Sequence, residues 1–416
     1  MHPTPLHPHR RRPVNTGIRL ATLCLMWSAA IVAGCSDDAT PAAPASRAGA
    51  PLASRHAEEP FDEPGPGRFI FRHWTFGDEP FWTDTLHLNQ VVETGVSPAT
   101  ALAVGLKVDA ERLSPGFLAG ADLTSPATTV ELLRRDAVVG IEAHVTTDHH
   151  IERLGITCAL CHSTVDNSVT TGIGRRLDGW PNRDLNVGAI VALSPALPAA
   201  VKAVFNSWGP GKYDAEFNRD GVNSPVVIPP AFGLRGVALE TYTGEGPVSY
   251  WNNYVAVTQM HGHGSFSDPV LGIHIRQRPD RVRPVLPILR AYQLSLTTPP
   301  APPGSVDPSA AERGETVFNT TGRCASCHIP ALAFSDVNLG VLHDPAETGT
   351  DPVRATRLKN HQYRTTPLRA LWQHPPYFHD GSAATLSDVV AHYDRVLGLG
   401  LSPQQQADLV EYLKSL

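Results

Sequence analysis

The apolar positions of this chain recur mainly at helical spacing, and alternating strand patterns are scarce. Several periodic segments open with a Ser or Thr able to cap a helix, with Pro in the first turn or an acid or amide three residues later. They begin at Ser97, Ser125, Ser309, Thr385 and Ser402. In the last one, Leu409, Val410, Leu413 and Leu416 fall on one side. We therefore predict a mainly α fold with long loops.

The longest apolar run, "LATLCLMWSAAIVAG", follows Arg10, Arg11 and Arg12 and ends at Cys35. It is too short for a comfortable membrane span, so we interpret residues 1–34 as a signal peptide. "VAGC" resembles the lipobox of bacterial lipoproteins, which implies a lipid on Cys35; a leader without lipid attachment is the alternative. Ser36 resembles the outer-membrane sorting pattern. We expect a periplasm-facing lipoprotein, on the outer rather than the inner membrane.

Two proline-rich segments divide the remaining chain. Residues 35–67 are rich in Pro, Ala, Gly and acids and predict a flexible tether. "TTPPAPPGSVDP" predicts an extended connector, with the linker at 298–304. The body then consists of 68–297 and 305–416, which we interpret as two domains.

The chain is acidic, with 34 basic and 40 acidic residues and a net charge of −6. The leader carries four arginines and no acid, so the mature chain is more acidic still. Such a chain is unsuited to bind a phosphate backbone, and we predict no nucleic-acid partner.

Cysteine usage indicates the chemistry. Of six cysteines, Cys24 lies in the leader and Cys35 is the lipid candidate. The others form two C-x-x-C-H motifs: Cys158, Cys161 and His162, then Cys324, Cys327 and His328. This spacing is typical of covalent haem attachment, in which two thiols add to the vinyl groups and the histidine binds iron. Zinc would favour a compact ligand set, and a thioredoxin-like pair would need a βαβ context. We predict two haem c groups, with His162 and His328 as iron ligands.

The second motif lies in a segment, from Ser309 to the C-terminus, that resembles a small cytochrome c. The resemblance implies that its first and last helices cross where Gly314 admits Tyr412. Outside the leader, Met260 is the only methionine. At most one iron can therefore have a Met ligand, and the other has a different ligand or an open side.

"TTPLRALWQHPPYFHDGSAATLSDVVAHYD" resembles the C-terminal haem domain of the bacterial di-haem cytochrome c peroxidase and MauG superfamily. The resemblance implies two cytochrome c-like haem domains and places Tyr393, fourteen residues after His379, at the axial position. Alternatively, Tyr393 is a core residue and His379 or His392 binds iron.

The resemblance has gaps at the first haem. Asp178, in "LDGW", stands where the peroxidases have a removable histidine, and Gln259, in "QMH", stands where they have a glutamate. A neutral amide cannot accept the proton that peroxide cleavage requires, which leaves peroxidase activity open. Asp178 could replace that group, or it could cap a turn or pair with Arg175 or Arg176.

Several aromatic, histidine and acidic residues have two possible interpretations each. The family places a tryptophan between its haems, for which Trp180, Trp208 and Tyr242 are candidates; we also expect Trp180 to pack against haem. His261 and His263 line a haem pocket or are ordinary loop residues. The peroxidases hold calcium between their domains, and "EFNRDGVN" loosely resembles a calcium loop without its final glutamate, so calcium is a candidate cofactor.

These patterns predict a di-haem oxidoreductase that reacts with peroxide, oxygen or another small substrate at the N-terminal haem. A small periplasmic electron-transfer protein would be its partner. The alternatives are a non-catalytic electron carrier and an oxygenase acting on an organic substrate, as in the related rubber oxygenases.

Overall fold

The computed structural model describes residues 65–416. The predicted signal peptide, Cys35 and nearly all of the predicted tether lie outside the described residues. Helices predominate, in agreement with the predicted mainly α class. They are α1 (Gly65–His73), α2 (Leu88–Gly95), α3 (Pro98–Ala103), α4 (Phe117–Gly120), α5 (Pro126–Arg134), α6 (Ala159–His162), α7 (Val187–Ala192), α8 (Ala199–Asn206), α9 (Val248–Thr258), α10 (Leu286–Ser295), α11 (Pro308–Asn319), α12 (Pro345–Thr348), α13 (Leu386–Leu397) and α14 (Pro403–Ser415).

The strands of the described part are short and pair two by two. β1 (Val108–Asp109) runs parallel to β5 (Ile173–Gly174). The antiparallel pairs are β2 (Ile141–Val145) with β3 (Ile151–Ile156), β4 (Ser163–Val165) with β6 (Arg176–Asp178), β7 (Lys212–Tyr213) with β8 (Val226–Val227), and β9 (Phe266–Asp268) with β10 (Ile273–Ile275). Strands β3 and β4 flank the first cysteine motif on either side. Among the described helices, none has the length and apolar character needed to cross a bilayer.

The predicted helix starts agree closely with the structure. The hydroxyl groups of Ser97, Thr385 and Ser402 accept hydrogen bonds from backbone N–H groups of α3, α13 and α14. Helix α5 starts directly after Ser125, whose side chain makes no capping bond. The start of α11 was predicted two residues late, because Asp307 rather than Ser309 caps it. An aspartate cap accepts the same backbone donors as a serine cap.

The described residues belong to one compact unit and contain two main apolar cores and a small cluster of Ala355, Leu358 and Tyr363. The larger core extends from α1 to α10, and the smaller one is built by α11, α13, α14 and nearby loops. Helices α11 and α14 cross so closely that a Cβ atom on Gly314 would lie 2.8 Å from Cβ of Tyr412. The expected meeting of Gly314 and Tyr412 is confirmed. Residues 296–307, which include the predicted linker, contain no helix or strand.

Candidate functional site

The first motif lies in one helical turn directly after the β2–β3 hairpin. Helix α6 follows Cys158 and ends at His162. Both Cys158 and Cys161 are free thiols. Nδ1 of His162 lies 3.0 Å from the carbonyl oxygen of Pro229. When Nδ1–H donates to this carbonyl group, the lone pair on Nε2 is free to bind a metal, as in other histidine-ligated metal sites.

The second motif, in a distant part of the chain, has the same arrangement of a helical turn and a histidine held by a backbone carbonyl group. A 3₁₀ turn begins at Cys324, and both Cys324 and Cys327 are free thiols. Nδ1 of His328 lies 3.1 Å from the carbonyl oxygen of Phe334. Each motif therefore presents two thiols and one imidazole whose orientation is set by a backbone carbonyl group.

The two motif histidines are in the protonation state that binding of haem iron requires. Burial lowers the pKa of His162 to about 4 and also lowers that of His328, so both imidazoles are neutral near pH 7. Burial raises the pKa of Cys158 and Cys161 to about 12. The cysteines and the histidine of each motif are half-buried. The residues present fit covalently attached haem.

Asp178 is held by three donors. Its carboxylate accepts hydrogen bonds from Nε of Arg72 at 2.6 Å, from the Tyr292 hydroxyl at 2.5 Å and from the Ser163 hydroxyl at 2.9 Å. Burial alone would raise its pKa, but Arg72 and Tyr292 outweigh burial and lower it. These contacts favour the ion-pair interpretation of Asp178, although the partner is Arg72 rather than Arg175 or Arg176.

The "QMH" segment has one exposed and two buried side chains. Gln259 and Met260 are 6% and 4% exposed, and Met260 packs in the larger core. Nε2 of Gln259 is buried without a hydrogen-bond partner among the described residues. His261 is exposed, and its ring stacks on Phe81 with 3.6 Å between ring centroids. Although part of the side chain reaches solvent, desolvation by the protein packed around the ring, together with the charge of Arg219, lowers the pKa of His261 to about 4.

The structure brings Tyr393 close to the second motif. Its pKa rises to about 12, through burial first and then through the thiols of Cys324 and Cys327. Of the two alternative iron ligands, His392 contacts the carbonyl oxygen of Thr348 through Nε2 at 2.7 Å. His379 stacks on Tyr242, with ring centroids 6.1 Å apart. These contacts favour Tyr393 among the three candidates.

Two of the proposed inter-haem aromatic residues contact the C-terminal segment. Trp180 meets Trp372 edge to face, with 5.7 Å between ring centroids. Tyr242 packs against His379, as described above. Trp208, in contrast, lies in the larger core, where its Nε1–H donates to Asn223 at 2.9 Å. Trp180 and Tyr242 therefore remain the two candidates.

A short backbone path joins the first motif to the "PYFHDG" loop. The N–H group of Val227 donates to the carbonyl oxygen of His379 at 2.8 Å. Two residues later, the carbonyl oxygen of Pro229 is the contact of His162. The orientation of the first histidine thus depends on the packing of the C-terminal loop.

The candidate calcium loop is already neutralised by arginine. Arg357 pairs with Asp214, Glu216 and Asp220 at 3.0, 2.8 and 2.7 Å, and Arg354 also pairs with Glu216. Both guanidinium groups are almost fully buried. Since Arg357 contacts both carboxylates of the loop, Glu216 and Asp220, and the adjacent Asp214, this loop does not fit a calcium ion.

No family model matches the chain. A cytochrome-c peroxidase, IdrP1, of Denitromonas iodatirespirans is 29% identical over 150 residues, covering 26% of this chain and 40% of that protein. MauG of Methylorubrum extorquens is 26% identical over 162 residues, covering 34% and 46%. The chain thus matches less than half the length of each. A solved hydrazine synthase of Kuenenia stuttgartiensis has a TM-score of 0.31 at 22% identity, covering 46% of this chain and 73% of that one, which is too low to support an argument.

The two donor sets fit haem c, a cofactor that the cytochrome-c peroxidase and MauG relatives also imply. These relatives confirm the resemblance to the di-haem cytochrome c peroxidase and MauG family.

Sequence reasoning missed the partners of the site residues. The carbonyl groups of Pro229 and Phe334 carry no side-chain signal, and Arg72 and Tyr292 are far from Asp178 in the chain. The pairing of the acidic loop with the two arginines of "RATR" could have been predicted from the sequence, because buried acids require cations nearby.

Proposed function

We propose that this protein is a di-haem oxidoreductase that reduces a small oxidant, peroxide or oxygen, at the first motif. Electrons would come from a small periplasmic protein through the second motif. The observation that carries the proposal is the repeated donor set, two thiols and a histidine held at Nδ1 by a backbone carbonyl group. Haem bound at each motif would supply one-electron redox chemistry and, on any open side of the iron, reactivity towards peroxide or oxygen.

The residues of each motif would serve as attachment points and ligands. Cys158 and Cys161 would form the thioethers of the first haem, and Cys324 and Cys327 those of the second. His162 and His328 would bind iron through Nε2, and Tyr393 would be the second protein ligand at the C-terminal motif. Pro229 and Phe334 orient the two histidines.

The contact between Trp180 and Trp372 is the proposed route between the two regions. Trp180 belongs to a segment bonded to the first motif, and Trp372 belongs to the segment that contains the second. Trp180 follows Gly179, whose N–H donates to the carbonyl oxygen of His162 at 2.8 Å. Trp372 lies in the segment that resembles the C-terminal haem domain. Edge-to-face contact of two indoles shortens the distance that an electron would cross between these segments.

His261 is the group we propose to accept a proton during peroxide cleavage. Reduction of one peroxide to two water molecules takes two electrons and two protons, so a proton acceptor near the oxidant lowers the barrier. Gln259 is a neutral amide, and Asp178 is occupied by three donors. His261 is neutral and accessible. Its stacking partner Phe81 precedes Thr83, whose hydroxyl bonds to Leu154 in the strand that leads to Cys158.

The test is to record the absorption and electron paramagnetic resonance spectra of the ferric, haem-loaded protein before and after peroxide is added. We expect two haems, one high-spin and one low-spin, and a spectral change on adding peroxide. Two low-spin haems that do not respond to peroxide would instead support the electron-carrier alternative. Accumulation of an oxidised organic compound under oxygen would support the oxygenase alternative.

Tyr393→Phe tests the ligand assignment separately. The variant should alter the low-spin signal, because phenylalanine has no oxygen atom to bind iron. Tyr412→Phe, in the crossing of α11 and α14, is the matched control and should leave that signal unchanged. An unchanged low-spin signal in Tyr393→Phe would remove Tyr393 as a ligand.

We also propose, on the sequence alone, that the protein faces the periplasm and is tethered through lipid on Cys35. Cys35→Ser should release the protein from the membrane fraction if this is correct. Unchanged membrane association in that variant would contradict the lipid tether.

A further inference from the structure

Arg183 is a half-buried cation whose inward-facing nitrogen atoms have no counter-ion among the described residues. Its Nη2 donates to the carbonyl oxygen of His374 at 2.9 Å. Its Nε and Nη1 atoms are buried and have no hydrogen-bond partner among the described residues. It forms no ion pair within the described part of the chain. Burial lowers its pKa to about 10, so the guanidinium group is still charged near pH 7.

Three arginines that are more deeply buried than Arg183 have partners. Arg354 and Arg357 pair with the carboxylates described above. Arg364 donates to the carbonyl oxygen atoms of Glu240 and Thr241, at 3.0 and 2.7 Å. An unpaired buried charge is costly, and two unused donors add to that cost. The two buried donors of Arg183 are therefore available to an anion that the described residues do not supply.

Arg183 lies directly beside the first motif. The N–H group of its neighbour Asn182 donates to the carbonyl oxygen of Cys161 at 2.8 Å. Burial is the main reason for the low pKa of His162, and the charge of Arg183 contributes to it. The unused donors are thus close to the place where the first haem would be attached.

Arg183 also contacts the C-terminal segment. His374, whose carbonyl group it binds, is 8% exposed and is two residues from Trp372, the partner of Trp180. Burial and the charge of Arg183 lower the pKa of His374 to about 3, so this imidazole is neutral and does not repel the guanidinium group. The nearby Tyr377 donates its hydroxyl to Leu371 and is a neutral phenol.

We propose that Arg183 binds a propionate carboxylate of the haem attached at Cys158 and Cys161, and that it acts as a positioning residue. The inference rests on the proposed haem attachment. A haem carries two carboxylates, which would supply the missing anion. Because Arg183 also donates to the carbonyl oxygen of His374, the position of the first haem would depend on the packing of the C-terminal segment.

This contact has a measurable electrostatic consequence. Reduction of a haem adds one negative charge, and a nearby cation in a poorly solvated site stabilises the reduced state. Removing that cation should lower the reduction potential of the first haem. The second haem should be much less affected, because Arg183 lies beside the first motif.

The test is a spectroelectrochemical titration of the haem-loaded full chain and its Arg183→Gln and Arg183→Lys variants. We expect a lower potential for the first haem in Arg183→Gln, an unchanged second haem, and largely restored potential in Arg183→Lys. The matched control is Arg175→Gln, which removes an exposed arginine that pairs with Asp166. An unchanged first potential in Arg183→Gln would overturn the inference.

Wild-type protein provides a second measurement if Arg183→Gln does not mature. A carboxylate paired with arginine keeps a low pKa, so the first potential should be independent of pH between about pH 5 and pH 8. A potential that falls with rising pH in this range would show an unpaired propionate and overturn the inference. Absence of haem from mature wild-type protein would instead refute the proposed function.

Discussion

A Cβ atom on Gly314 would lie 2.0 Å from the carbonyl oxygen of Asp408. The backbones of α11 and α14 are therefore in contact at this point, and only a residue without a side chain fits. Because Cys324 packs against the core that these two helices build, the crossing shapes the surroundings of the second motif.

Gly314→Ala should destabilise the protein by about 3 kcal/mol, the upper end for overpacking, because backbone atoms cannot move aside easily. Thermal unfolding followed by circular dichroism would measure this. Gly95→Ala is the control, since Gly95 ends a helix with no atom within 4 Å of the added Cβ. Equal stabilities for Gly314→Ala and wild type would show that the helices can separate at no cost.

Asp178→Asn should cost about 3 kcal/mol at pH 7, because it leaves the charge of Arg72 without its buried partner. The folded protein holds the pKa of Asp178 below its usual value, so this stabilisation is present above the pKa of the unfolded chain. It is lost as pH falls through the folded pKa. The difference between wild type and variant should therefore vanish in acid.

Asp84→Asn is the control for this comparison, because Asp84 is 60% exposed and pairs with Arg153 on the surface. If Asp178→Asn kept its stability but lost peroxide reduction, the carboxylate would be catalytic and the ion-pair interpretation wrong.

His261→Gln should slow the reaction with peroxide by roughly 100-fold, the lower range for loss of a general base. In wild type, the pKa of about 4 makes His261 a proton acceptor above that pH. The rate should therefore fall as pH drops through about 4 and stay constant above about 5, whereas the variant should lack this step. Stopped-flow absorbance would record both profiles. His274→Gln, at an exposed histidine bonded to Ser267, should behave as wild type.

Arg357→Gln should destabilise the folded protein by about 3 to 5 kcal/mol, because three carboxylates lose a buried partner. Arg134→Gln, which removes a surface pair with Glu131, is the control. Wild-type protein should unfold at the same temperature with and without a calcium chelator. A lower unfolding temperature in chelator would contradict the conclusion that arginine neutralises this loop.

The sequence by itself determined the features that depend on near neighbours in the chain. Two thiols and a histidine at C-x-x-C-H spacing specify the candidate haem chemistry, because one turn of backbone holds all three. Helix starts at Ser97, Thr385 and Ser402 were readable because a capping side chain reaches donors only three residues away. The start of α11 was misplaced, because Asp307 and Ser309 offer similar caps.

Only the tertiary structure decided which distant groups satisfy the buried ones. Arg72 reaches Asp178 across 106 residues, and Arg357 reaches Asp214 across 143. The carbonyl groups of Pro229 and Phe334 belong to any backbone, so no residue type marks them as partners of His162 and His328. Buried polar groups must be paired, but the pairing depends on how segments pack after the chain has folded, and local sequence does not carry that information.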